Sequence, residues 1–327
     1  MNLLINTAAA YHSSRGVRRY FEQILPHLKA DSLIRTTGND PSALSRLSDA
    51  LFRGRAGYIC WSPSHRINVS ARNHVVTVHD CINVEYRHAG PSRALLQFLT
   101  QQTFNNASRL VAISEATKRS VLRNYRLNEQ KITVIRSPAV LPLAAHTTDL
   151  ACITHSEDPF VLMVTNALSH KNGANAVRAF ALSEAARAGL RLHVIGALDA
   201  EALSVCAQQG VRLTIETTIS DAQLRRYYSE CVMLLSVSLV EGHNLAVAEA
   251  LSCGATVVCS DIEAHREFYK NYAVLVDPYV PEAMATGISQ ALTLPRGALA
   301  PVLVGTDDFA RVAMEYNALF RELSAAL

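Results

Sequence analysis

No stretch of eighteen or more apolar residues occurs in this chain, so no segment is long enough to cross a bilayer as a helix. Paired cysteines are missing too. The seven Cys are scattered with no Cys-x-x-Cys, which excludes a zinc ribbon and a disulfide framework. Cys81, Cys231 and Cys259 sit in apolar stretches, as reduced, buried thiols of a cytosolic protein do. Charge of one sign is barely in excess: the net +3 is too mild for a nucleic-acid binder. A local basic patch could still meet an anionic membrane surface. The first ten residues lack a basic n-region, and their apolar core is too short for a signal peptide, so they read as a first buried strand. There is no internal repeat and no Asp-x-Asp at a strand end.

What is present is apolar material in quantity. Hydrophobic residues make up 49% of 327, enough to bury two cores of ordinary size. The most informative stretch starts at Val232. Val232 to Val237 is an apolar run short enough for a buried strand, and Gly242 marks a tight loop. An Ala- and Leu-rich helical pattern follows, ending at Gly254, the residue type that closes helices. Ala255 to Cys259 is the next buried strand. Glu241 falls in the loop and Glu249 in the helix. Eight helical steps separate them by roughly 12 Å, which suits a nucleoside diphosphate sugar. The N–H groups of Gly242, His243, Asn244 and Leu245 lie between the two acids, where a helix N-terminus favours a phosphate. An ordinary helix with a Glu near each end fits the same residues.

Other strands deliver polar residues at their carboxyl ends. Tyr58 to Trp61 and His74 to His79 read as strands, the second ending in His79-Asp80. Ala8 to Gly16 reads as a polar loop before a helix from Val17 to Lys29, with Arg15, Arg18 and Arg19 around it. Asp40 to Ala56 reads as helical, and Arg93 to Ser108 as an amphipathic helix with Leu95, Leu96, Phe98 and Leu99 on its apolar side. Ser114 is a good N-cap. Ser137 to Pro159 is Pro- and Ala-rich and aperiodic, which places a boundary there. A second run of strands and helices follows, with Ser169-His170-Lys171-Asn172 before a helix, Gly196 after a strand, a strand from Thr214 to Ile219, and Ser220 as the next cap. Two such runs argue for an α/β protein of two Rossmann-like domains, at 1–145 and 146–308, facing across a cleft. Residues 309–327 form a final amphipathic helix.

Glu241-Gly242-x-x-Leu245-x-x-x-Glu249-Ala250, followed by Cys253-Gly254-x-x-Val257-Val258-x-Ser260-Asp261, resembles the donor-site signature of the family 4 glycosyltransferases, which have the GT-B fold. Trp61-Ser62-Pro63 with Val76 to Asp80, the Lys171-Asn172 loop and Arg15-Gly16-Val17-Arg18-Arg19-Tyr20 are similar to further motifs of that family. His243, Asn244 and Ala246 stand where Phe, Gly and Pro are usual, and His170 where Arg is common.

The resemblance implies a retaining, metal-independent transfer of a hexose, mannose among the options, from a UDP- or GDP-linked sugar, with no cofactor. Its setting would be polysaccharide, lipopolysaccharide or glycolipid assembly in the cytoplasm or on the inner face of the membrane. His79, Glu241 and Lys171 would be catalytic. Gly16, His170, Lys171, Gly196, Ile219, Gly242, His243, Asn244, Leu245 and Glu249 would bind the donor. Arg15, Arg18 and Asp80 would face a glycan or lipid-linked acceptor. The final helix would cross back to the first domain. The alternative is a non-catalytic GT-B protein that binds a nucleotide sugar or serves as a partner subunit.

Overall fold

The computed structural model describes residues 1–11, 13–35, 55–68, 73–86, 91–138, 158–299 and 308–326. The helix expected over 40–56 falls almost wholly outside these residues, as does 139–157 of the boundary stretch. Two compact units divide the chain: Met1–Pro138 with Asp307–Leu327, and Ala139–Thr306. Among the described residues no helix is long and apolar enough to cross a membrane.

The first unit is built on six parallel strands: β1 (Asn2–Ile5), β2 (Ser32–Arg35), β3 (Ile59–Ser62), β4 (His74–Val78), β5 (Arg109–Ala112) and β6 (Ile132–Val134). Their spatial order is β2-β1-β3-β4-β5-β6. In β3 and β4 every residue is buried, because a parallel sheet covered on both faces keeps no polar side. The chain leaves β1 for β2 on one flank and returns to β3 on the other. That reversal opens a crevice at the carboxyl ends of β1 and β3, where open α/β sheets bind ligands.

Two local expectations are corrected here. The loop expected from Ala8 to Gly16 is largely helical: Thr7–Tyr11 forms a helix whose first four residues are buried. Ser14 then caps a helix over Arg15–Ile24, accepting from the Val17 N–H at 3.4 Å, so Gly16 lies in a first helical turn. The helix Pro91–Asn106 does not bury its expected apolar side. Leu95 and Phe98 are each 59% exposed, while Thr100, Thr103 and Phe104 are buried. Thr103 tolerates burial because its hydroxyl donates to Leu99 O at 3.0 Å and accepts from Asn68 N at 3.0 Å. Ser114 is the cap the sequence indicates, accepting from Thr117 N at 2.9 Å.

The helix Asp308–Ala325 belongs to the first unit. Tyr316 and Phe320 pack on Trp61 with ring centroids 5.0 and 5.8 Å away. The Thr77 hydroxyl ties this packing to β4. It accepts from Trp61 Nε1 at 3.0 Å and lies 2.7 Å from the Tyr316 hydroxyl.

In the second unit, β7 (Phe160–Thr165), β8 (Arg191–Gly196), β9 (Leu213–Glu216), β10 (Met233–Ser236), β11 (Thr256–Ser260) and β12 (Val274–Val276) form a parallel sheet. Their order is β12-β11-β10-β7-β8-β9. Here the reversal lies between β7 and β10, so the loops leaving those two strands flank the crevice. The strand expected to reach Ile219 ends at Glu216. Ser220 and Gln223 form a capping box that starts the helix Asp221–Glu230, and exposed Thr217 and Thr218 become loop.

Candidate functional site

At the carboxyl end of β7 a 3-10 turn over Ser169–Lys171 passes into the helix Gly173–Leu182 through Asn172, which has φ +58°. Asparagine is among the few residues that adopt this left-handed conformation readily. Its Nδ2 donates to Val237 O at 3.2 Å and Pro278 O at 2.7 Å, which joins the loops after β7, β10 and β12. Leu239 N donates to His170 O at 2.8 Å. These ties bring Lys171 and Glu241 together: Lys171 Nζ donates to Glu241 Oε1 at 2.5 Å. The two side chains are 21% and 10% exposed. Burial pushes the Glu241 carboxyl up, but Lys171, with His265 and the Ser238 hydroxyl, outweighs it and holds the group below the usual carboxylate value. The Glu241 carboxylate is therefore charged at neutral pH, at the point where the strand order reverses.

The helix after β10 spans Leu245–Ser252. Only four of the eight steps from Glu241 to Glu249 are helical, so the 12 Å expected from helical rise does not apply. Asn244 turns the chain into the helix at φ +78°. This backbone conformation suits glycine, which explains the glycine of the family motif, and asparagine is a tolerable substitute. His243 is buried, its ring 4.5 Å from that of Phe268 and 5.9 Å from that of Tyr269, so it fills an aromatic position. Gly242 is buried and Leu245 half-buried. Gly254 closes the helix at φ +68°.

Glu249 is half-buried and accepts from the Tyr228 hydroxyl at 3.0 Å. Burial first, then the Glu249 charge, pushes the Tyr228 phenol well above its ordinary value, so it stays a donor. Sequence reading placed Tyr228 along a helix and His265 in a His265-Arg266-Glu267 stretch similar to the family's Arg-Glu helix, and assigned neither to the site. His265 has no exposed surface and lies beside the Lys171–Glu241 pair. Its only signal was a histidine next to Arg266 in a helix.

Gly196 has φ +116°, and a Cβ there would stand 1.9 Å from Thr165 O. Its position is thus dictated by the approach of β7. His170 is buried at 6% exposure, and Ile219 is half-buried in the loop after β9.

The first unit holds a cavity of about 630 Å³ at the carboxyl ends of β3 and β4, lined in part by Ser14, Val17, His65, His79, Asp80 and Tyr125. His79 Nε2 donates to Pro63 O at 2.8 Å, and its ring meets that of Tyr20 edge-on at 5.1 Å. Burial lowers its pKa to about 4, against the pull of Pro63 O and Asp80, so the ring is neutral at pH 7. Asp80 Oδ1 accepts from Ile82 N at 3.0 Å, which starts the helix Ile82–Glu85. His65 also lines the cavity. Its Nδ1 is buried and without a partner among the described residues, and burial lowers its pKa to about 4. Sequence reading missed it, although it follows Ser62-Pro63-Ser64 at a strand end. Gly16, Arg15 and Arg18 do not line the cavity. Arg15 is exposed. Arg18 pairs with Glu22 at 2.8 Å and lies over the Tyr11 ring at 4.9 Å.

Two family models match this chain: "Glycosyltransferase Family 4" over residues 13–139 and "Glycosyl transferases group 1" over residues 153–300. The O-antigen chain mannosyltransferase RfbU of Salmonella typhimurium is 23% identical over 230 residues, which cover 68% of this chain and 62% of that protein. The match thus spans less than two thirds of that relative's length. Sucrose-phosphate synthase from Thermosynechococcus elongatus superposes with a TM-score of 0.68 at 16% identity, covering 100% of both chains. The UDP-forming alpha,alpha-trehalose-phosphate synthase from Burkholderia vietnamiensis gives 0.60 at 12% identity, covering 98% of this chain and 82% of that one. These two likenesses establish the fold. With two consecutive family matches spanning most of its length, and with parallel-sheet units like those of solved GT-B proteins, the chain belongs to the family 4 glycosyltransferases.

Proposed function

We propose that the protein transfers a hexose from a UDP- or GDP-linked sugar to a hydroxyl of a glycan or lipid-linked acceptor, with retention of anomeric configuration. The observation that carries this reading is the charged Lys171–Glu241 pair where the order of β7 and β10 reverses, beside a helix that carries Glu249. Breaking the bond between sugar and diphosphate leaves negative charge on the phosphates. The Lys171 ammonium and the helix terminus at Asn244–Leu245 provide fixed positive potential for that charge. Glu241 takes a sugar hydroxyl and Glu249, steadied by Tyr228, a ribose hydroxyl. His79 acts on the sugar and the first-unit cavity receives the acceptor. Arg15, Arg18 and Arg19 lie on the helix that Ser14 caps, and they suit an anionic acceptor at the cytoplasmic membrane face.

Support for mannose as the sugar comes from the Salmonella relative, whose name also supports a role in polysaccharide or lipopolysaccharide assembly. The test is a thermal-shift screen against UDP-, GDP- and dTDP-sugars, followed by donor hydrolysis without acceptor and transfer to lipid-linked and free glycans. A donor that raises the melting point binds the native state. Binding without hydrolysis or transfer would favour the non-catalytic alternative. In our reading no cofactor or divalent metal takes part, since Lys171 supplies the cation. Activity lost in EDTA and restored by Mg²⁺ or Mn²⁺ would overturn that part.

A further inference from the structure

Asn244 does more than occupy a left-handed position. Its Nδ2 donates to Ser236 Oγ at the end of β10 and to His265 Nε2, both at 3.0 Å. An amide nitrogen only donates, so His265 Nε2 must accept and the ring proton must sit on Nδ1. That proton has an acceptor: Ser260 O lies 2.8 Å from Nδ1, with Ser260 Oγ at 3.0 Å. Ser260 Oγ in turn donates to Ser238 O at 2.5 Å. The Tyr269 hydroxyl donates to Asn244 O at 3.1 Å. These bonds form a chain from Asn244 through His265 and Ser260 to Ser238, and Glu241 lies between its two ends in the sequence. A neutral ring is what the surroundings favour. Burial lowers the His265 pKa, Lys171 adds to this, and Glu241, Asp261 and the Ser260 carbonyl oppose it.

On the reading that Glu241 holds the donor sugar, we propose that Asn244 is a positioning residue. It fixes the Glu241 loop by holding His265 as its Nδ1–H tautomer while gripping Ser236. A glycine at this position meets the backbone demand equally well but makes neither side-chain bond. The asparagine therefore adds a constraint on the loop that the usual residue lacks.

Asn244→Gly is the discriminating variant, because φ +78° is open to glycine. Loss of loop geometry should cut kcat about tenfold or more, since small misplacements of a positioning group are costly. Affinity for free UDP or GDP should stay within about threefold, as Lys171 and Glu249 are untouched. Long-range ¹⁵N spectra of His265 give a readout independent of transfer. Wild type should show a protonated Nδ1 and a bare Nε2, and Asn244→Gly a mixture. Asn244→Asp sets an acceptor against Nε2 and should move the proton there. Ser236→Ala, a small change, should lower kcat several-fold and covers the case in which Asn244→Gly folds poorly. An Nε2–H tautomer in the wild type would overturn the proposal, as would unchanged kcat in both Asn244→Gly and Ser236→Ala. A protein that transfers no sugar would refute the functional reading and leave the tautomer test standing.

Discussion

Lys171 Nζ meets Glu241 Oε1 at 2.5 Å, a contact between the loops of β7 and β10 made by residues 70 positions apart. The carboxylate orients the Lys171 ammonium at the point where the strand order reverses. Lys171→Ala should lower affinity for nucleotide diphosphate at least about tenfold and lower turnover as well, because the phosphate charge exists before and during bond breaking. It also leaves the Glu241 carboxylate without its cation, so the melting temperature should fall. Glu241→Gln should spare nucleotide affinity and reduce turnover. Calorimetric titration with UDP and GDP, beside initial rates, separates the two.

Glu249 and Tyr228 form the second arm of the site. Charge-assisted hydrogen bonds are worth roughly 1.5–3 kcal/mol, so Glu249→Ala should weaken nucleotide binding about tenfold or more. Tyr228→Phe removes the hydroxyl that steadies Glu249 and should cost about 1 kcal/mol, a several-fold loss. Equal titration curves for wild type and Glu249→Ala would take Glu249 out of the site.

Much of this arrangement is readable in one dimension. Buried parallel strands are unbroken apolar runs, and Gly254, Ser114 and Ser220 mark helix ends by local chemistry. Glu241, Glu249 and Lys171 stand out by motif. Their pairing does not, because nothing local says that β10 lies beside β7. The same holds for Tyr228 on Glu249 and His265 on Asn244. Thr7 to Tyr11 escaped because one helical turn and a half carries no period. Leu95 and Phe98 misled for the opposite reason: their spacing is helical, but Phe104, not those two, packs with Val76, Val78, Leu110 and Ala112 of the sheet.

His79 and Lys171 should differ in kind. His79→Ala should lower turnover about 10²–10³-fold and leave nucleotide diphosphate affinity unchanged, since His79 is assigned to the sugar. Titration and rate measurements on the same preparation check this. A loss of nucleotide affinity as large as that of Lys171→Ala, with the fold intact by circular dichroism, would refute the assignment.

Gly196 tests the backbone. Gly196→Ala must place a methyl 1.9 Å from Thr165 O at φ +116°, so β7 and β8 have to separate. Strain of this kind costs about 1–3 kcal/mol before the clash is counted. Gly189→Ala shares a positive φ of +80° but meets nothing within 4 Å. Thermal melts should therefore rank wild type above Gly189→Ala, and Gly189→Ala well above Gly196→Ala.

Acid should unfold this protein through its buried histidines. Burial lowers His65, His74 and His79 to about 4, whereas an unfolded histidine titrates near 6.5. Between these values the unfolded chain binds more protons than the folded one, so stability rises with pH across the window and falls as pH drops from 6.5 towards 4. Each such histidine contributes on the order of 3 kcal/mol to the loss by pH 4. His74 is the cleanest probe, because it lies away from the assigned residues and its Nε2 contacts Ser62 Oγ at 2.7 Å. Replacing it by glutamine keeps a polar partner for Ser62 and removes the titration. Urea unfolding at pH 7, 6 and 5 should then show a shallower decline for His74→Gln than for the wild type. Parallel declines would mean that His74 is protonated in the folded state as readily as in the unfolded one, against the burial seen in β4.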